Sequence, residues 1–335
     1  MIALDATYST GRNLSGVGVY SREILQGLAA SQPGPWQWFY RSNKYFKAND
    51  LPGNVRRKLL LESFGSRSAA LFHGLNQRLP VRKFKRQVAT FHDLFVLSGE
   101  YSTAEFRTRF AAQARHAAET SDLLIAVSAF TARQLEEYLK VPASRIRVIH
   151  HGIVPRVLPV RQREKVVLCV GAVQKRKNQA ALVRAFRAMP QDWQLVLAGS
   201  AGFGAEETLA AVAESPAKDR ILITGYLADE ELAGWYARAS LFAFPSFDEG
   251  FGMPVLEAMA AGIPVLAGNR AALPEVCGDA AVLVDPTSEE AISAGLLEAD
   301  GRREVLIPAG KAHSARFTWA KAVQQTAGVY SELLS

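Results

Sequence analysis

Short runs rich in Val, Ile and Leu alternate with helix-like stretches of Ala, Leu, Glu and Arg from one end of the chain to the other. That alternation leaves few folds open, because strand, helix and strand in succession pack back as a parallel sheet covered by helices. In the first half the expected strands are residues 1–6, 69–72, 88–91, 123–127 and 146–149. In the second half they are 166–170, 194–198, 221–224, 241–244, 264–267 and 281–284. Helices are expected at 19–29, where Ile24 and Leu28 share a face, and at 103–120, 179–188 and 229–239. The two series meet at 154–160, which carries Pro155 and Pro159 and runs into the polar stretch 161–165, a composition suited to an exposed linker. The expected class is α/β, with two Rossmann-like doubly wound domains. Two such sheets facing one another leave a deep interdomain cleft at the carboxyl ends of their strands, where open α/β sheets bind ligands.

A length of 335 residues with 49% hydrophobic content suits two ordinary cores and excludes disordered, collagen-like and disulfide-scaffold classes. No apolar run approaches the ~20 residues of a membrane-spanning helix. Residues 1–6 enter a strand-like segment without the basic and small-residue pattern of a signal peptide, so the chain reads as cytoplasmic. Cys169 and Cys277 show no metal or redox spacing and read as inert packing residues. The net charge of +7 is unevenly spread. Residues 1–155 hold 21 Lys or Arg against 11 Asp or Glu, and 156–335 hold 18 against 21, which gives +10 and −3. The surplus gathers in Arg56, Arg57 and Lys58 with Arg67, and in Arg82, Lys83, Lys85 and Arg86. Such runs are either a solvated face or an attraction to an anionic partner. The chain has no aromatic-basic RNA motif and no long basic amphipathic helix, so nucleic acid is not the expected partner.

Three segments carry chemistry. Gly16, Val17 and Gly18 follow the first strand and precede a helix expected to begin near Tyr20. Glycine there lets backbone approach a ligand, and a helix N-terminus offers amides to a phosphate. Ser21 stands where a dinucleotide fingerprint would have its third glycine, so a nicotinamide-dependent dehydrogenase is not supported. Next, residues 170–178 turn from strand to helix through Lys175, Arg176 and Lys177, three cations able to offset phosphate charge. The last segment, 244–259, places Gly250 and Gly252 in a tight loop and Pro254 in a first helical turn. The amides of Met253, Val255 and Leu256 are then expected to form an anion-binding helix terminus. Glu249 and Glu257 would stand roughly 12 Å apart on one regular helix, wider than glycosidase carboxylate pairs, which argues against a hydrolase and for binding hydroxyls of two groups.

Through these segments and others, the chain resembles the retaining GT-B glycosyltransferases of family GT4 over nearly its whole length. The likeness rests on the Gly16 loop, His92-Asp93-Leu94, Val127-Ser128 with Phe130-Thr131, and Arg176-Lys177-Asn178. It also rests on Glu249 and Glu257, on Leu273-Pro274-Glu275-Val276 followed by Gly278-Asp279-Ala280-Ala281, and on Phe317-Thr318-Trp319. The resemblance implies an acceptor-side domain over 1–155, a nucleotide-sugar domain over 156–315, and a helix over 316–335 that crosses back. It further implies that Lys177 and Arg176 hold the donor diphosphate, that Glu257 binds the ribose, and that Glu249 with Gly250, Phe251 and Gly252 binds the transferred sugar. Gly16 and Val17 would close on the phosphates, the base would lie near Gly225, Tyr226 and Leu227, and His92 would face the sugar and its leaving phosphate. Lys177, Glu249 and His92 are thus the expected catalytic set. Ala172 stands where many members have Arg, which leaves diphosphate binding to Arg176, Lys177 and amides.

The implied reaction moves a hexose from a nucleotide sugar to a saccharide or lipid-linked acceptor in cell-surface polysaccharide or glycolipid synthesis. The chain has no Asp-x-Asp pair, so no metal and no other cofactor are expected. His-Asp-Leu with Arg-Lys-Asn resembles bacterial mannosyltransferases of this family, which points to GDP-mannose; UDP-glucose, UDP-GlcNAc and dTDP sugars are alternatives. A GT-B nucleotide-sugar epimerase and a non-catalytic binder of anionic surfaces or nucleic acid are the rival readings. The basic first half further suggests an anionic acceptor and peripheral contact with the inner face of the cell membrane. Alanine at Lys177 or Glu249 is expected to abolish transfer with the fold intact.

Overall fold

The computed structural model describes residues 1–11, 14–47, 51–62, 69–155 and 162–335, so Arg67 and the proline-bearing join at 156–161 lie outside the described residues. The chain divides into two units. The first comprises Met1–Ser98, Ala104–Gly152 and Thr318–Ser335; the second comprises Gly99–Thr103 and Ile153–Phe317.

Among the described residues, seven strands form the sheet of the first unit: β1 (Ile2–Asp5), β2 (Trp36–Tyr40), β3 (Val55–Leu59), β4 (Leu71–Gly74), β5 (Gln87–Phe91), β6 (Leu123–Ala126) and β7 (Ile146–Val148). Every pairing is parallel, in the order β3-β2-β1-β4-β5-β6-β7. Strand periodicity sends alternate residues to opposite faces. Leu4, Trp36, Trp38 and Tyr40 therefore join one core with Ile24 and Leu28 of the helix Gly16–Ser31 and with Val323 and Tyr330 of the helix Trp319–Leu334. Ala3 and Phe39 join the opposite core, with Phe72, Phe84, Phe110 and Leu135.

β2 and β3 were not among the expected strands, for two physical reasons. β2 reads WQWFY, an aromatic run without aliphatic residues, and all five of its residues are buried. β3 reads VRRKL and is the sheet's edge, where outward cations discourage further strand pairing. The Arg56-Lys58 run is therefore part of an edge strand, with Arg56 and Lys58 exposed.

The helix after β1 starts at Gly16, earlier than the expected 19 or 20, because Ser15 caps it and accepts from the Gly18 amide at 3.4 Å. Gly16 and Val17 thus form its first turn.

The second unit holds β8 (Glu164–Val170), β9 (Gln194–Ala198), β10 (Ile221–Gly225), β11 (Ala239–Phe244), β12 (Val265–Gly268) and β13 (Val282–Val284). They are again all parallel, in the order β10-β9-β8-β11-β12-β13. The order reverses between β8 and β11, the topological switch point at which such sheets bind ligands beyond their carboxyl ends. Cys169 on β8 and Cys277 are both buried, and burial pushes both thiols up to about 12, so they are unreactive packing residues. Among the described residues no helix is long and apolar enough to cross a membrane.

Candidate functional site

The switch point of the second unit gathers the charged residues. After β8 the chain turns through Lys175–Lys177, and after β11 it runs through a loop that ends at the helix Met253–Ala260. The Phe247 amide donates to the Arg176 carbonyl at 2.9 Å, which fixes the second loop on the first turn. Lys177 Nζ donates to Glu249 Oε1 at 2.8 Å, and Arg176 Nη1 lies 3.0 Å from Glu249 Oε2. Arg176 also donates to the Asp248 carbonyl. All three ionised side chains are buried, so two cations share the Glu249 carboxylate in a medium that screens them poorly. Burial alone would push that carboxyl up; Arg176 and then Lys177 outweigh it and hold it down at about 2.

Small residues and one asparagine make this turn feasible. Gly171 has φ +133°, and a Cβ there would lie 2.9 Å from Lys177 Cε. Asn178 adopts a left-handed backbone at φ 56°, and its side chain donates to the carbonyls of Pro245 at 3.2 Å and Pro286 at 2.6 Å. Gly199, which sequence reasoning missed, lies so close to Gly171 that a Cβ would sit 2.1 Å from the Gly171 carbonyl oxygen. It also bridges to Gly225. Among the described residues, glycines thus stand at the carboxyl ends of β8, β9 and β10, where the first two let the Lys177 side chain and the neighbouring backbone pack closely. Their signal in sequence is a glycine directly after, or ending, each strand. Tyr226, exposed, and Leu227 follow this row.

Glu249 lies in the loop before the helix, so the regular-helix separation of the two glutamates does not apply. Glu257, within the helix, accepts a hydrogen bond from the Tyr236 hydroxyl at 3.1 Å. Gly250, Phe251 and Gly252 are buried in the loop, and Gly252 enters the helix at φ 113°. One expectation fails here. The Val255 amide donates to the Gly252 carbonyl at 3.0 Å, closing the first turn on itself, so this amide is not offered to an anion. The side chains of Val255 and Leu256 are core. Among the described residues no group of three or more His, Cys, Asp or Glu side chains could hold a metal ion.

Gly16, Val17 and His92 belong to the first unit. His92 directly follows β5, and its Nε2–H donates to the Leu75 carbonyl at 2.9 Å. Burial pulls this imidazole down to about 4, against the Leu75 carbonyl that favours a proton, so it is neutral near pH 7. Tyr20, on the helix begun by Gly16, meets the His92 ring edge-on at 4.7 Å, and His151 lies 5.3 Å from it. His151 stacks with Trp319 at 5.9 Å. Tyr20, His151 and Trp319 were missed because their grouping depends on how the sheet brings its carboxyl ends together.

Comparisons with known proteins give these two sites a common context. The family model described as "Glycosyl transferases group 1" matches residues 153–311, and that described as "Glycosyltransferase Family 4" matches 64–156. An O-antigen chain mannosyltransferase B of Escherichia coli is 33% identical over 284 residues, 78% of this chain and 74% of that one. Among solved structures, sucrose-phosphate synthase of Thermosynechococcus elongatus has a TM-score of 0.79 at 22% identity, over 99% of this chain and 98% of that one. HepE of Anabaena, in complex with UDP and glucose, has a TM-score of 0.76 at 18% identity, over 98% of each chain. With a third of the aligned positions identical to a mannosyltransferase over 78% of the chain, and its fold shared with GT-B enzymes, the chain belongs to glycosyltransferase family 4 and is a glycosyltransferase.

Proposed function

We propose that this glycosyltransferase moves mannose from GDP-mannose, with retention at the anomeric carbon, to a saccharide or lipid-linked acceptor of cell-surface polysaccharide or glycolipid synthesis. The observation that carries the reading is the buried group of Arg176, Lys177 and Glu249 at the switch point of the second sheet. In this reading Arg176 and Lys177 hold the donor diphosphate and stabilise the charge that develops as it leaves. Such preorganised electrostatics is commonly the largest catalytic term. Glu249 keeps both cations aimed while the donor is absent and contacts the transferred sugar when it binds. Glu257 takes the ribose hydroxyls, and Gly225, Tyr226 and Leu227 take the base. Breaking the sugar–phosphate bond leaves an oxocarbenium-like sugar. The acceptor oxygen bonds to the same face, and its proton passes to the leaving phosphate oxygen. His92, being neutral, contributes hydrogen bonding rather than positive charge. No metal or other cofactor is assigned a part.

Mannose is supported by the mannosyltransferase relative, while the complex of HepE with UDP and glucose keeps uridine donors as the second reading. A thermal-shift and turnover panel of GDP-mannose, UDP-glucose, UDP-GlcNAc and dTDP-glucose, run with and without EDTA, tests this. GDP-mannose alone should stabilise the protein, with transfer unaffected by EDTA. Stabilisation by another donor, or loss of transfer in EDTA, would overturn the corresponding part, and epimerised donor formed without acceptor would favour the epimerase.

The first unit exposes Arg56, Lys58, Arg82, Lys83, Lys85 and Arg86, together with Phe46 at 85% and Val81 at 72%. This supports an anionic acceptor held at the inner membrane face, where each nearby cation contributes about 1 kcal/mol. Sedimentation with anionic but not neutral vesicles at low salt is expected, and no sedimentation would remove this part.

A further inference from the structure

Four side chains form one continuous hydrogen-bonded chain inside the first unit. Tyr330 Oη lies 2.6 Å from His73 Nδ1, His73 Nε2 lies 2.8 Å from Thr90 Oγ1, and Thr90 Oγ1 lies 2.9 Å from Tyr20 Oη. All four residues are buried. They come from four separate elements: the C-terminal helix Trp319–Leu334, β4, β5 and the helix Gly16–Ser31.

Backbone ladders and apolar cores already join these elements, so a polar chain here is a costly addition unless it fixes something. The proton count restricts it further. A neutral imidazole has one donor and one acceptor nitrogen, and each hydroxyl has one proton. If Tyr330 donates to His73 Nδ1, then Nε2–H donates to Thr90, whose hydroxyl either donates to or accepts from Tyr20; if Nδ1–H donates to Tyr330 instead, Thr90 donates to Nε2 and Tyr20 donates to Thr90. Each arrangement is a complete chain that holds the Tyr20 phenol from its far end.

The Tyr20 ring is the edge-on neighbour of His92, at 4.7 Å and 79°. It also lies 5.0 Å from His151, which stacks on Trp319. The C-terminal helix thus reaches the His92 ring by two routes, Tyr330 through the hydrogen-bonded chain and Trp319 through His151. A further restraint on His92 is its Nε2–H bond to Leu75, which makes Nδ1 the acceptor nitrogen.

We propose that Tyr330, His73 and Thr90 are positioning residues that fix the orientation of the His92 ring through Tyr20 and so keep its Nε2–H aimed at the Leu75 carbonyl, placing the glycosyl-transfer geometry under the control of the C-terminal helix. The proposal rests on the reading of His92 as a group of the transfer site.

The test uses the full chain. Tyr330→Phe and Thr90→Val each delete one hydroxyl with little change of shape, and Thr90→Ser keeps it. Nitrogen-15 spectra of the imidazoles, with His92 assigned by its loss in His92→Ala, should show the His92 signals moving toward tautomer averaging in Tyr330→Phe and Thr90→Val. Wild-type signals should return in Thr90→Ser. In step, kcat should fall about tenfold, with donor KM within about twofold, and recover in Thr90→Ser. His92 signals and kcat unchanged in both hydroxyl deletions would overturn the proposal. Displaced signals with unchanged kcat, alongside an unchanged kcat in His92→Ala, would instead overturn the reading of His92 and leave the positioning intact. If Tyr330→Phe does not fold, the comparison of Thr90→Val with Thr90→Ser decides.

Discussion

At Glu249 one carboxylate serves two buried cations, and this changes what an alanine there does. The sequence suggests a binding residue whose removal leaves the fold alone. In the structure, Glu249→Ala leaves Arg176 and Lys177 buried without their shared counter-charge, and breaking a buried pair this way costs about 3–5 kcal/mol. Glu249→Ala should therefore lower the denaturant midpoint as well as abolish transfer, whereas Lys177→Ala, which leaves the carboxylate paired with Arg176, should cost less. Equal midpoints for wild type and Glu249→Ala in urea would refute this. The types and spacing of Arg176, Lys177 and Glu249 were legible in sequence as anion-binding chemistry. Their contact was not, because 72 residues separate Lys177 from its partner and it takes the β8-β11 pairing to bring the two turns together.

Among the elements, the helix Trp319–Leu334 belongs by packing to the first unit, although the second unit's chain precedes it. It buries Ala322, Val323, Val329 and Tyr330 against the first sheet's core. Burying a large apolar side chain contributes about 1.5–3 kcal/mol, so the helix as a whole approaches the ~5–15 kcal/mol that holds a typical domain folded. A chain ending at Phe317 should consequently lose the cooperative unfolding of the first unit while the second unit still melts as one transition. Calorimetry of the truncated chain would show it, and two intact transitions would refute it. The packing of the chain before this helix is equally exacting, since a Cβ on Gly152 would sit 2.1 Å from the Trp319 nitrogen. Amphipathic periodicity made the helices readable, and β2 and β3 escaped because aromatic and basic strands lack the aliphatic runs that mark the others.

For the molecule as a whole, acid should act on the first unit before the second. Burial holds His73 down at about 3 and His92 at about 4, against an ordinary 6.5, so between those values the unfolded chain binds protons that the folded chain refuses. Stability therefore falls as pH drops below about 6.5, by about 1.4 kcal/mol per pH unit for each histidine. Glu249, held at about 2 against an ordinary 4.5, withdraws its contribution only as pH falls below 4.5, in the second unit. Urea titrations from pH 7 to pH 5 should show the first unit weakening alone, and a flat profile over that range would contradict the burial of these histidines. The sequence by itself determined the fold class, the two series of strands and the residue types of the donor turn, because periodicity, glycine and charge are local properties of a chain. Only the tertiary structure decided that Glu249 neutralises two cations, that Val255 spends its amide on Gly252, and that Tyr330 is tied through His73 and Thr90 to Tyr20. Each of these is a contact across separate elements or a hydrogen bond settled by backbone geometry, and neither leaves a periodic mark in the chain.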